Sequence, residues 1–236
     1  MADSSSAGRA KNQASSFNRK LRKGEKHLLE QCPHLGKWII EAGKCELKPR
    51  WGMSPTESLI RAIAHQQLHG KAAEAILGRL IATFPDQSFP TSQQILKLRT
   101  PKLRAMGFSL AKLEAIRGIA RAEQAGVIPD RQEAELLDNE ELIEKLTELR
   151  GIGRWTVEMF LIFTLGRLDV MPVDDFGVRA GLMHLRELGE MPKKAAFPEF
   201  TDDWAPYRSI GAWYLWRLAD AKKDRARIEP KKKATE

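Results

Sequence analysis

The sequence predicts an all-α protein, and three observations carry that expectation. Helix-forming residues (Ala, Leu, Glu, Lys, Arg) dominate the 236-residue chain. Runs of Val, Ile and Thr with strand alternation are scarce. Serine, threonine and aspartate recur three residues ahead of Glu or Gln, each time just before an apolar-periodic segment. Hydrophobic residues make up 42% of the chain, enough for a sizeable core.

The helices are predicted in order. Ser54-Pro55-Thr56-Glu57 opens one through Leu59, Ile60 and Ile63, with proline at the first helical position. Lys71 to Phe84 follows as an amphipathic helix stopped by Pro85. Thr91-Ser92-Gln93-Gln94 starts a short helix ending near Leu98, and Thr100-Pro101 starts the next. Ser109 caps a helix that turns Leu113, Ile116 and Ile119 inward until Gly126 ends it. Asp138-Asn139-Glu140-Glu141 caps a helix through Leu142, Leu146 and Leu149. After Gly151-Ile152-Gly153 an apolar helix runs from about Arg154 to Leu165, closed by Gly166. A helix through Val178, Leu182 and Leu185 is expected next, and a last one from Pro206 to about Ala221.

Roughly ten helices in two halves result. The predicted organisation is a disordered basic/polar tail over 1–17, one subdomain from 18–54 with 169–223, a central subdomain over 55–168 holding the hairpin 149–153, and a basic tail over 224–236.

The net charge is +8. Such a balance points to a polyanion, although much of the charge crowds the chain ends at Lys20, Arg22, Lys23 and Lys26 and again from Lys222 to Lys233. The two cysteines, Cys32 and Cys45, form no C-x-x-C pair, which argues against a zinc site or an iron–sulfur cluster. A disulfide between them stays open. The N-terminal residues lack the apolar stretch of a secretory signal, and the apolar run Met159 to Leu165 is too short to span a bilayer. The expectation is therefore a soluble, intracellular protein.

Leu149-Arg150-Gly151-Ile152-Gly153 must turn sharply between two helices. Two glycines permit positive φ and close backbone approach, while Ile152 plugs into the core. The N–H groups of Gly151, Ile152, Gly153 and Arg154 would form a concave anion site suited to a DNA phosphate, without base contact. An ordinary helix corner is the plain alternative. Two carboxylates, Asp174 and Asp175, precede a helix, and either could simply cap it.

These motifs resemble one family. Leu149 to Val157 (Leu-Arg-Gly-Ile-Gly-Arg-Trp-Thr-Val), followed by Met171 to Arg179 (Met-Pro-Val-Asp-Asp-Phe-Gly-Val-Arg), is similar to the helix–hairpin–helix DNA glycosylase superfamily. Arg154-Trp155-Thr156, Asp174-Asp175 and Trp204 to Ser209 most resemble its 3-methyladenine DNA glycosylase II group, in a short form without the N-terminal β domain. The similarity extends over about 50 to 220.

The resemblance implies two helical subdomains with the active site in the cleft between them. It places catalysis on Asp175 and capping or support on Asp174. A carboxylate near C1′ would stabilise the oxocarbenium-like charge that builds when a glycosidic bond breaks, and could take a proton from the attacking water. An alkylated purine is already cationic and leaves without a strong general acid.

Bifunctional relatives carry a Schiff-base lysine where this chain has Trp155, so a monofunctional enzyme is expected, leaving an intact abasic strand. Trp155 and Trp216 match base-pocket positions, and Met159 lies one turn after Trp155. Tyr207 and Trp213 read as core or rim, and Arg208 and Ser209 as structural or phosphate contacts. Gln67 and Leu68, within His65 to Gly70, are the implied minor-groove wedge for base flipping.

The expected partner is double-stranded DNA containing damaged bases, bound by a monomer, away from membranes. No cofactor is expected beyond a monovalent cation that the hairpin carbonyls could hold. A glycosylase for neutral lesions (hypoxanthine, etheno-adenine), a non-catalytic hairpin module and a helical scaffold remain as alternatives.

Overall fold

In the computed structural model, residues 3–68 and 70–228 are described. They form thirteen α-helices and no strand. The chain divides into two compact units, Met1–Lys48 with Arg167–Glu236, and Pro49–Gly166.

The first unit begins with α1 (Asp3–Gln31) and α2 (Pro33–Ala42). The predicted polar tail over 1–17 is thus corrected: from Asp3 onward it is the start of a helix. The segment holds no proline to interrupt a helix, alanine recurs along it at Ala7, Ala10 and Ala14, and Phe17 buries its ring at the end of it.

The second unit contains α3 (Pro55–His65), α4 (Gly70–Ile81), α5 (Ser92–Lys97), α6 (Thr100–Ala105), α7 (Leu110–Gln124), α8 (Arg131–Leu136), α9 (Asn139–Thr147) and α10 (Arg154–Phe160). Helix α3 is its centre and packs against α4, α7 and α10. Its residues Leu59, Ile60, Ile63 and Ala64 are fully buried. Each large apolar side chain so buried contributes about 1.5–3 kcal/mol. The predicted caps hold. Ser54 accepts from the Glu57 N–H, and complete capping boxes close on Thr91/Gln94 and Asp138/Glu141. A further box at Asp130/Glu133 starts α8, which the sequence reading passed over.

The chain then returns to the first unit as α11 (Phe176–Leu185), α12 (Phe197–Thr201) and α13 (Arg208–Ile228). Helix α13 continues past Ala221, so the first residues of the predicted basic tail are helical, and 229–236 lie outside the described residues. Arg208 forms a two-pronged ion pair with Asp169, at 2.7 and 2.9 Å. The Ser209 hydroxyl donates to Arg167 O and accepts from Val170 N–H. Both residues are structural: they tie the strap before α11 to the start of α13. Cys32 and Cys45 are buried and free. No described helix is long and apolar enough to cross a membrane.

Candidate active site

Asp175 is itself the N-cap of α11. Its Oδ1 accepts from the Val178 N–H at 2.9 Å and from Trp216 Nε1–H at 2.7 Å. This corrects the expected division of labour in which Asp174 capped and Asp175 projected. Asp174 is turned aside into an ion pair with Lys194. One carboxylate both ends the orphan N–H of the helix and carries the candidate chemistry. The cap bond explains how: it sets the side chain's direction at a rigid helix start.

Trp216 sits on α13, and α11 lets it come close through glycine. A Cβ on Gly177 would stand 2.8 Å from Trp216 Cδ1 and 3.2 Å from Asp175 Oδ1. One turn later, a Cβ on Gly181 would stand 2.2 Å from Leu215 O. The Gly177-x-x-x-Gly181 face therefore admits the backbone of α13 at near contact. That spacing was present in the sequence and was not singled out.

In the second unit, Trp155 and Met159 come together as expected, on the wall of a cavity of about 260 Å³. Ala62, Phe163 and Thr164 add to its apolar lining, and Arg61, His65 and Glu74 line it as well. The last turn of α10 widens into a π-helix over Leu161–Leu165, which carries Phe163 and Thr164 to the wall. His65 Nε2 lies 3.1 Å from Glu74 Oε1.

The hairpin is built as predicted around Ile152, which is buried. Gly151 has φ +87, and a Cβ there would stand 2.7 Å from the Cβ of Ala115 on α7. Only glycine fits. Gly153 is exposed, with nothing near its missing Cβ. The Ile152 N–H turns back to Leu149 O at 3.0 Å. The side chain of Arg154 has a structural role. Its guanidinium is held by both oxygens of Glu140 at 2.8 and 2.5 Å and by Glu158 at 3.1 Å. The hydrogen bonds to Glu140 raise its pKa further and lower that of Glu140. The side chain is committed to bracing α9 against α10, which leaves its backbone as what it can offer a phosphate.

Leu68 is exposed, at 39%, on the turn after α3, and Gln67 beside it takes the left-handed conformation at φ +55. The turn is fixed by two residues that sequence reasoning missed. Gln66 Nε2 donates to Thr156 Oγ1 at 2.9 Å and to Gly151 O at 3.2 Å. Lys112 Nζ donates to Ala64 O and Gln66 O, at 2.8 and 2.7 Å, satisfying the carbonyl end of α3. Burial lowers the Lys112 pKa. No local pattern announces such a contact across 46 residues.

The chain belongs to the HhH-GPD superfamily of base excision DNA repair proteins, whose family model matches residues 60–206. It is 48% identical over 181 residues to DNA-3-methyladenine glycosylase 1 of Schizosaccharomyces pombe, covering 75% of this chain and 78% of that one. It is 36% identical over 198 residues to the alkylbase DNA glycosidase-like protein mag2 of the same yeast, covering 84% and 93%. Among solved structures it resembles the S. pombe 3-methyladenine DNA glycosylase Mag1 in complex with abasic DNA. There the TM-score is 0.78 at 43% identity, covering 83% of this chain and 95% of that one.

Proposed function

We propose that this chain is a monofunctional DNA glycosylase that releases alkylated purines of the 3-methyladenine and 7-methylguanine type and so initiates base excision repair. The observation that carries the reading is Asp175 at the start of α11, its carboxylate oriented by Val178 and Trp216. Membership of a base excision repair superfamily and the high similarity to a 3-methyladenine glycosylase support it.

The chemistry follows from the residues. The duplex is gripped through phosphate at the backbone of Gly151, Gly153 and Arg154, while the Ile152 N–H, bonded to Leu149 O, closes the turn rather than facing the phosphate. Leu68, with Gln67 beside it, fills the gap that a flipped nucleotide leaves in the stack. The flipped base lies against Trp155 and Met159. A cationic purine on an indole face gains about 0.5–2 kcal/mol when desolvated. The C1′–N bond breaks with its electron pair passing to the base, so a positively charged methylated purine leaves neutral. The Asp175 carboxylate stabilises the positive sugar. Water bonds to C1′ and gives up a proton, which Asp175 accepts and passes to solvent.

Trp155 offers no amine for a Schiff base, so the abasic strand stays uncut. The protein acts as a monomer, where the DNA is. The hydrolysis itself draws on protein groups and water, without a metal or an iron–sulfur cluster. The proposal includes a monovalent cation held by the hairpin carbonyls, for which Leu149 O and Gly151 O, each accepting one hydrogen bond, keep a second lone pair.

A second reading, release of neutral lesions such as hypoxanthine, draws on one observation. His65, oriented by Glu74, gives the cavity wall a directed polar group. Incubating methylated and hypoxanthine-containing duplexes with wild type and Asp175→Asn, and identifying the freed bases, separates the two. Release of methylated purines by the wild type alone, with strands intact before alkali, is expected. Release of hypoxanthine alone would favour the second reading, and strand scission would end the monofunctional one.

A further inference from the structure

The sequence reading put Trp216 in the base pocket, where its ring face would matter. In the structure its N–H is bonded to the candidate catalytic carboxylate. The indole Nε1–H meets Asp175 Oδ1 at 2.7 Å, while the Val178 N–H reaches the same oxygen at 2.9 Å. A capping bond alone leaves an aspartate's terminal torsion broad, because rotation about an sp³–sp² bond has shallow wells. A second donor arriving from another helix narrows it. Gly177 provides the room in which indole and carboxylate meet, since any Cβ there would strike both.

We propose that Trp216 is a positioning residue for Asp175, acting through its N–H rather than through stacking on the base. It holds the carboxylate in the one orientation from which a developing sugar cation is stabilised. Misplacing a reacting group by about an ångström can cost about a hundredfold in rate. The inference rests on the proposed base-release reaction.

Trp216→Phe keeps an aromatic face and removes the donor. Replacing Trp216 with a benzothienyl-alanine, in which sulfur stands where N–H was, keeps shape and volume as well. Both variants, Asp175→Asn and the double variant Trp216→Phe/Asp175→Asn would be compared with wild type. The readouts are single-turnover release of 7-methylguanine and affinity for a duplex carrying a tetrahydrofuran abasic analogue.

Both N–H-lacking variants are expected to lose about 10- to 100-fold in rate, with affinity within about twofold. In the Asp175→Asn background the Trp216→Phe change is expected to cost nothing further, because residues that act as one unit are not additive. A benzothienyl variant as fast as wild type overturns the proposal, as does a loss confined to affinity. A wild type that releases no base overturns the underlying function and this role with it, whereas an active wild type beside a fully active benzothienyl variant overturns this role alone.

Discussion

Gly181 faces the backbone carbonyl of Leu215 so closely that a Cβ would stand 2.2 Å from its oxygen. Helices α11 and α13 therefore meet backbone to backbone, and that approach brings the Trp216 N–H within reach of Asp175. Gly181→Ala must push the two helices apart. Overpacking of this kind costs about 1–3 kcal/mol. We expect a urea midpoint lowered accordingly, and base release reduced by more than the fall in folded fraction, because the helix carrying the donor has moved. An alanine variant with unchanged stability and rate would show that the close approach is not needed.

The two hairpin glycines should separate folding from binding. Gly151 combines φ +87 with a would-be Cβ 2.7 Å from Ala115, so Gly151→Ala should destabilise the second unit by more than 1 kcal/mol, by strain and by collision. Gly153 is at φ −97 with open space around it, so Gly153→Ala should fold normally. Its new methyl would instead occupy the space a phosphate needs. Affinity for duplex DNA should fall several-fold and the salt dependence of binding should flatten, with melting temperature unchanged. Titrations at several salt concentrations decide this. If Gly153→Ala binds as wild type does at every salt concentration, the hairpin is not a phosphate site.

What the sequence revealed and what it hid divide along a physical line. Caps and turns are local: Thr91 with Gln94, Asp138 with Glu141, and Gly151 with Ile152 each announce themselves within five residues. The local pattern showed only that Asp174 or Asp175 would cap the next helix, and the resemblance alone singled out Asp175. Neither revealed its support. The Trp216 bond crosses 41 residues, the Lys112 bond to Gln66 crosses 46, and the Gln66 bond to Thr156 crosses 90. Such contacts depend on packing, which periodicity does not encode. The division of roles between Asp174 and Asp175 failed likewise, because Lys194 claims the first carboxylate from a segment with no regular pattern. The N-terminal helix was missed because the segment before Phe17 shows no apolar repeat and is rich in Ser, with Gly8 among them, although no proline interrupts it.

Leu68 offers a test of flipping that leaves the fold alone. At 39% exposure its truncation to alanine should change stability by less than about 1 kcal/mol. The turn beneath it stays pinned by Gln66 and Lys112. If Leu68 replaces the displaced base in the stack, Leu68→Ala should slow release from duplex DNA by about tenfold or more and leave release from single strands nearly unchanged, since a single strand has no stack to refill. Equal slowing on both substrates would remove Leu68 from the flipping step.

The alkaline limit of the fold should be set in the first unit, around Glu25. Its buried carboxylate accepts from Arg22, from the Cys45 N–H and from Tyr214 Oη. Burial, reinforced by the Glu25 charge, pushes the Cys45 thiol from 9.0 up to about 12. Burial and the hydrogen bond to Glu25 raise the Tyr214 hydroxyl as well. Both groups thus hold their protons more tightly folded than unfolded. Their contribution is complete below the unfolded values and is lost as pH rises through the folded ones. For Cys45 that window opens near 9 and closes near 12. Within it the unfolded chain has released a proton that the folded chain retains, so stability should fall by about 1.4 kcal/mol per pH unit. Tyr214 adds to the slope at its upper end. Urea midpoints measured from neutral pH to pH 11 should bend downward above pH 9 in the wild type. Cys45→Ala should lose part of that bend while giving up some stability at neutral pH to the vacated space. A wild-type profile flat to pH 11 would mean that neither proton is held by the fold.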